Sequence, residues 1–470
     1  MSSQAFREKM EAAGVSEAAI RAFENGYERF ERSETALISE SEIEPVESLP
    51  TLGEIRQSFA GKESPTLFAQ SAVLKLNGGL GTSMGLEKAK SLLPVRGDDT
   101  FLDLIVRQVL AWRETTSDVR FLLMNSFSTS ADTRAALAKY PELGHPDDLE
   151  LLQNKVPKID AETLDPVEWA LDPKLEWCPP GHGDLYAVLA GSGIIDELLS
   201  HGVRYLFVSN SDNLGATLDP ALLAWFAESG KAFAMEVTAR TPSDRKGGHL
   251  AVRDGHLILR ESAQCPEDDL EAFQDIERHR YFNTNNLWLR LDRLRDALAE
   301  SGGFLPLPVI QNRKTVDPRD KTSTAVVQLE TAMGAAIECF PDSAAISVPR
   351  SRFAPVKTTG DLLALRSNAY EILPDGRAQL AAARGGVPPR IELDGNYKLV
   401  DQLDVATPDG APALVDCEEL VVEGPIRFAP GVEIVGRVSL KNGSGESVTL
   451  PAGRYVDTDW ASSDEADGSS

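Results

Sequence analysis

The chain has 470 residues, 42% hydrophobic and 26% charged, a globular composition with room for two or three domains and no mark of a fibrous or disordered chain. Seventy-three acidic against 47 basic residues leave a net charge of −26, which excludes nucleic acid as a partner over most of the surface and confines any anionic ligand to a locally basic pocket. Cys178, Cys265, Cys339 and Cys417 stand far apart without a CxxC pair, against a disulfide framework or zinc site and for a cytoplasmic location; no apolar leader or membrane-length apolar run is read.

Residues 4–35 place Phe6, Met10, Ile20, Phe23, Tyr27 and Phe30 at helical spacing, which predicts two amphipathic helices packed on a larger body. Residues 39–65 are acidic and proline-punctuated and read as a connector with a short helix. The runs 71–76 (SAVLKL), 119–124 (VRFLLM), 203–208 (VRYLFV) and 233–238 (FAMEVT) predict buried strands, with helices over 101–113 and 185–200 between them. This alternation predicts an α/β fold with a mostly parallel sheet covered on both faces, and its ligands at the carboxyl ends of strands. Residues 243–290 break the rhythm and read as antiparallel. After Pro388, apolar residues recur among glycines and prolines, which predicts either stacked coils or a small sandwich. The division is 1–65 helical segment and linker, 66–387 main domain, 388–458 coil-like domain and 459–470 acidic disordered tail.

The chemistry-bearing segments follow the strands. Asn77-Gly78-Gly79-Leu80-Gly81-Thr82-Ser83-Met84-Gly85 turns tightly and aims amides at an anion, phosphate above all, with Lys88 and Lys90 just beyond. A dinucleotide fingerprint needs glycine where Met84 stands, and a P-loop needs Gly-Lys-Ser or Gly-Lys-Thr. Pro179-Pro180-Gly181-His182-Gly183-Asp184 holds an imidazole in a loop that allows close backbone approach. Asp212, after the strand at 203–208, projects a carboxylate where a hard cation bridges it to phosphate oxygens. Asn283-Thr284-Asn285-Asn286 suits sugar hydroxyls. Arg350, Arg352 and Lys357 concentrate cations between prolines; at least one of the arginines is expected to pair with an acidic residue.

Seven segments in order, LNGGLGTSMG, PPGHGD, SNSDNLGA, NTNNLW, KTVD, QLETAMGAA and VPRSRFAPVKTT, resemble the eukaryotic-type UTP-glucose-1-phosphate uridylyltransferases, also called UDP-glucose pyrophosphorylases. The resemblance implies a Rossmann-like nucleotidyltransferase domain and a C-terminal left-handed β-helix. It implies Mg2+, and transfer of a uridylyl group from UTP to glucose 1-phosphate with release of pyrophosphate. By the same resemblance the backbone of Leu76, Asn77, Gly78 and Gly79 lies along UTP, Lys90 meets its phosphates, and Gln153 and Gly181 hold uracil. His182, Asn210, Asn285 and Gly79 contact glucose 1-phosphate, Asp212 serves the sugar and the metal-bound phosphates, and Lys357 is the active-site lysine and a further UTP contact. Lys357, Lys90 and Asp212 are the expected catalytic set. The family's Gly-Cys-Lys-Gly-Pro-Lys-Ser stands here as Gly85-Leu86-Glu87-Lys88-Ala89-Lys90-Ser91, and its uracil loop as Leu152-Gln153-Asn154-Lys155-Val156-Pro157-Lys158. Another sugar 1-phosphate (galactose or N-acetylglucosamine) and, from a different class, a dinucleotide-dependent oxidoreductase are the competing functions. Self-association is expected through the C-terminal domain, with neither nucleic acid nor membrane as partner.

Overall fold

The computed structural model describes residues 2–34, 36–62, 64–116 and 119–462. The helical spacing at the N-terminus gives helices Ser2–Ala12 and Glu17–Glu31, the second capped by Ser16, whose Oγ accepts the Ala19 amide at 3.3 Å. Their apolar faces, Phe6, Met10, Ile20, Phe23 and Tyr27, pack with Val156, Ile159, Cys178, Val327 and Leu329 of the main body.

At the centre lies a ten-stranded sheet. Strands Tyr205–Asn210, Ser71–Asn77, Arg120–Asn125 and Glu150–Leu152 run parallel in that order. Tyr281–Arg290 is antiparallel both to Tyr205–Asn210 and to Phe233–Ala239, and Ala344–Ser347 lies parallel beside the latter. The break in rhythm over 243–290 is a hairpin, His249–Arg253 with His256–Arg260, joined to Tyr281–Arg290 at Phe282.

Side chains alternate across the sheet with period two. Val73, Phe121, Leu123, Phe207 and Trp288 join helices Phe101–Thr116, Pro220–Ser229 and Thr359–Arg366 in one apolar cluster. Leu74, Leu122, Met124, Leu206 and Leu289 join Leu185–Gly191, Ile194–Ser200 and Leu291–Glu300 in another. The single helix expected over 185–200 is therefore two. Gly193 takes a left-handed φ of 74° between them, a conformation that ends one helix and that glycine adopts at little steric cost.

The parallel register brings the strand ends level: Asn77 pairs with Asn125, Asn125 with Leu152, and Leu76 with Asn210. The loops starting at Gly78, Ser126, Gln153 and Ser211 all leave from this carboxyl edge.

Among the described residues, every strand pair after Arg390 is parallel, whereas a small sandwich would be built from antiparallel sheets. Leu393, Val422, Leu440 and Trp460 stand in one register column. Leu420, Val422, Ile426, Val432, Ile434 and Val438 are buried in an apolar cluster continuous with that of the sheet. The tail read from residue 459 is corrected over its first residues: Asp459–Ala461 is a strand on Ser439–Lys441, and Trp460 packs on the coil core. A backbone ladder holds this polar stretch where composition alone does not. The rest of that tail, 463–470, lies outside the described residues.

Candidate active site

The glycine loop starts from a strand end whose side chain is already engaged. Asn77 Nδ2 donates to Asn125 Oδ1 (2.7 Å) and Thr133 Oγ1 (3.0 Å), and its Oδ1 accepts from the Ser211 hydroxyl (3.1 Å). Asn77 is 2% exposed, so its side chain ties three strand-end loops together and is not a ligand contact. The Lys90 amide donates back to Gly79 O at 3.1 Å, closing the loop. A Cβ on Gly78 would lie 2.9 Å from Gln153 Oε1, whereas one on Gly79 would meet nothing within 4 Å. Gly79 thus faces open space beside the loop amides.

Gln153 is held by its own amide on Asn125 O (2.7 Å) and by Nε2 donating to Gly181 O (2.9 Å). Gly181 has φ +81°, and a Cβ there would clash with the Thr331 carbonyl; both facts require glycine. Asp184 accepts from Asn154 N (2.7 Å) and Nδ2 (3.0 Å), pinning the Gln153 loop to the His182 loop, and burial pushes its carboxyl up to about 6. His182 Nδ1 accepts the Met333 amide at 3.0 Å, which assigns the ring proton to Nε2. Burial, with the Lys357 charge nearby, depresses His182 to about 4, so near neutrality it is a neutral donor.

Asp212 Oδ2 accepts from Lys90 Nζ at 2.7 Å, while Oδ1 is buried and has no partner among the described residues. Its carbonyl accepts the Val356 amide at 3.3 Å, and Asn213 bridges to Pro355. Lys357 is therefore carried to the same edge. Its charge acts on both His182 and Glu261, and no carboxylate lies within ion-pair distance of its ammonium among the described residues. Of the three clustered cations only Lys357 remains uncommitted: Arg350 pairs with Asp244 and Arg352 with Glu236. No group of three or more His, Cys, Asp or Glu able to hold a metal occurs among the described residues.

Asn283–Asn286 is the site of a register shift. Glu236 pairs with Asn286 but Val237 with Asn283, so Thr284 and Asn285 bulge out, Asn285 at φ 58°, a conformation asparagine tolerates. Asn285 N donates to Asn283 Oδ1 (2.8 Å), and Thr284 Oγ1 to Glu236 O (2.6 Å). Asn210 sits at the strand end, partly exposed.

Beneath the site lies a network that motif reading does not reveal. Glu236, fully buried, receives Arg352 Nε (2.8 Å) and Nη2 (2.6 Å), Asn286 Nδ2 (3.0 Å) and Trp288 Nε1 (3.0 Å). Lys75 is buried beside it, donating to Ser209 Oγ (2.8 Å) and Ala216 O (2.7 Å), and burial lowers it to about 7. Glu261 is a further residue not singled out from the sequence. Its carboxylate packs against Gly248, where a Cβ would clash with Oε2, and burial raises its carboxyl while Lys357 opposes the shift. Leu259-Arg260-Glu261 offers no local signal for this placement.

No helix among the described residues is long and apolar enough to cross a membrane. Residues 20–435 match the family model described as UTP–glucose-1-phosphate uridylyltransferase. The chain is 40% identical over 397 residues to the UTP–glucose-1-phosphate uridylyltransferase of Saccharomyces cerevisiae, covering 84% of this chain and 78% of that protein. It superposes on a point mutant of UDP-glucose pyrophosphorylase from Leishmania major, solved in complex with UDP-glucose, with TM-score 0.93 at 46% identity, covering 98% and 99% of the two chains. The Trypanosoma brucei structure gives 0.90 at 48% identity, again over 98% and 99%. By the family match over most of its length and these identities, this chain belongs to the UTP–glucose-1-phosphate uridylyltransferase family.

Proposed function

We propose that this protein transfers a uridylyl group from UTP to glucose 1-phosphate, giving UDP-glucose and pyrophosphate. A phosphate oxygen of the sugar phosphate attacks the α-phosphorus in line; the bond from that phosphorus to the bridging oxygen of the β-phosphate breaks, and pyrophosphate leaves with the electron pair. Both reactants are anions, so the protein's task is alignment and charge neutralisation rather than covalent chemistry.

In this reading Leu76, Asn77, Gly78 and Gly79 offer backbone to UTP, and Gln153 with Gly181 meets the uracil edge. Lys90 takes phosphate oxygens. His182 donates from Nε2 to the sugar phosphate, while Asn210 and Asn285 address hydroxyls. Lys357, free of a carboxylate among the described residues, meets the charge that builds at the reacting phosphorus. Asp212, whose Oδ1 has no partner among the described residues, would hold a hard cation such as Mg2+. Such an ion, when bound, neutralises phosphate charge.

The reading rests above all on the convergence of Lys90, Asp212, His182 and Lys357 at one sheet edge in a member of this family. We further read 1–65, 66–387 and 388–458 as the functional divisions, the parallel stack as a left-handed β-helix with an open edge for self-association, and the four free cysteines as fitting a cytoplasmic protein. Pyrophosphate release measured with UTP, ATP and GTP against glucose, galactose and N-acetylglucosamine 1-phosphates tests the function. UTP with glucose 1-phosphate is expected to be fastest; equal rates with ATP overturn the uridylyl assignment, and a faster rate with another sugar overturns the glucose assignment.

A further inference from the structure

The segment before the first sheet strand reaches the sugar side of the site through one carboxylate. Glu40 opens a one-turn 3-10 helix, Glu40–Glu42, capped by Ser39. Its Oε1 accepts from Arg278 Nε at 2.8 Å and lies 2.9 Å from His279 Nε2, and its Oε2 accepts from Arg260 Nη1 at 2.6 Å. The Glu40 amide donates to Asp269 Oδ2 (2.7 Å), which also receives Arg260 Nη2 (3.2 Å). Ile38 and Ile43 pack on Ala251 and Ile258 of the hairpin, and Glu44–Pro45 adds a strand to its edge.

Two chain points are gripped at once: one leads to Glu261, which the Lys357 charge reaches, and the other to the strand bulge read as a sugar contact. Arg260 is the residue before Glu261. Arg278 and His279 precede the strand whose bulge presents Asn283 and Asn285. Arg260 and His279 are fully buried, and His279 stacks on His249 with ring centroids 3.9 Å apart. Arg240 also faces this cluster from the neighbouring strand end, through Nη1 on Phe273 O (2.9 Å) and His279 O (3.2 Å). Arg260 Nε, Arg240 Nε, His279 Nδ1 and His249 Nε2 are buried without partners among the described residues. Among so many cationic and imidazole groups, removal of a carboxylate leaves charge uncompensated, and the two gripped segments are free to separate.

We infer that Glu40 is a positioning residue for sugar-phosphate recognition, holding Glu261 and the Asn283–Asn285 bulge in register with one another. The inference rests on the reading that the bulge faces the sugar. Neither element carries a residue read as a uracil or UTP-phosphate contact, so the KM for the sugar phosphate is the one expected to move.

Initial-rate kinetics on the full chain, varying each substrate in turn, test this. For Glu40→Gln the KM for glucose 1-phosphate is expected to rise about tenfold, with the KM for UTP changing by less than about twofold. Preference for glucose over galactose 1-phosphate should narrow. Glu40→Asp, which keeps the charge, should recover part of the loss. Glu44→Gln, the same charge change in the same segment at an exposed position, should leave both constants unaltered. Equal rises in both KM values, a lower melting temperature with neither KM moved, or no effect at all would overturn the inference. Asn285→Ala, measured alongside, reports separately on the underlying reading: an unchanged sugar-phosphate KM there rejects the bulge as a sugar contact whatever Glu40 does.

Discussion

At the carboxyl edge of the sheet, Asp212 keeps a buried oxygen without a partner and Lys357 stands without a carboxylate among the described residues. In the coils after Arg390, Leu393, Val422, Leu440 and Trp460 stack in one column, and the Tyr397 hydroxyl accepts the Ile426 amide at 2.7 Å while lying 2.8 Å from Gly424 O. One region retains polar capacity that its own fold does not use, and the other consumes its capacity internally. An unmet buried polar group costs stability, and in the proposed function a cation at Asp212 and an anion at Lys357 supply from outside what the fold leaves unmet there. The coils contribute apolar burial that runs unbroken into the sheet's core.

The sharpest way to break this comparison is at Asp212. Asp212→Asn should lower kcat by about a hundredfold to a thousandfold and raise the magnesium concentration needed for half-maximal rate; a metal titration of the variant checks both. A fall in stability with normal turnover would put Asp212 on the same footing as a coil residue. Leu420→Ala tests the other side. Leu420 is fully buried between Ile391 and Val438 in the parallel ladder, and its truncation should cost about 2–5 kcal/mol in denaturant melts while kcat changes by less than about twofold. A large loss of kcat in folded protein would show that the coils help to build the site.

The smallest expected effect concerns pH. His182 is depressed to about 4 from an ordinary 6.5. As the pH falls, the unfolded chain takes up this proton first, so this group's contribution to stability is intact above about 6.5 and is lost between there and about 4. His182→Gln should therefore show a shallower loss of stability between pH 7 and 5 in urea melts. An unaltered slope would contradict the neutral, donor-bearing ring.

Much of the edge was legible because its signals are local. Apolar runs of five or six residues set the strands, and the residues that follow each run, Gly78, Ser209 and Asp212, inherit a place at the carboxyl edge. What stayed hidden is joined over long sequence separations. Glu236 and Arg352 lie 116 residues apart, and Glu40 and His279 lie 239 apart; no periodicity records such pairs. Asn77 was legible as part of a backbone loop, but the engagement of its side chain by Asn125 and Thr133 depends on strand register. The strand at Asp459–Ala461 was missed because it adds to the stack by backbone bonds, and an acidic, small-residue composition carries no trace of that.

Lys357 offers the most direct test of the central claim, because its removal should disturb chemistry without disturbing the fold. It is exposed and its ammonium makes no ion pair among the described residues, so Lys357→Ala should melt at the wild-type temperature. Steady-state kinetics with UTP and glucose 1-phosphate should then show kcat reduced by about a hundredfold or more, with KM for glucose 1-phosphate within about threefold, since this cation acts on charge that appears only in the transition state. An unchanged kcat in the folded variant would contradict the account.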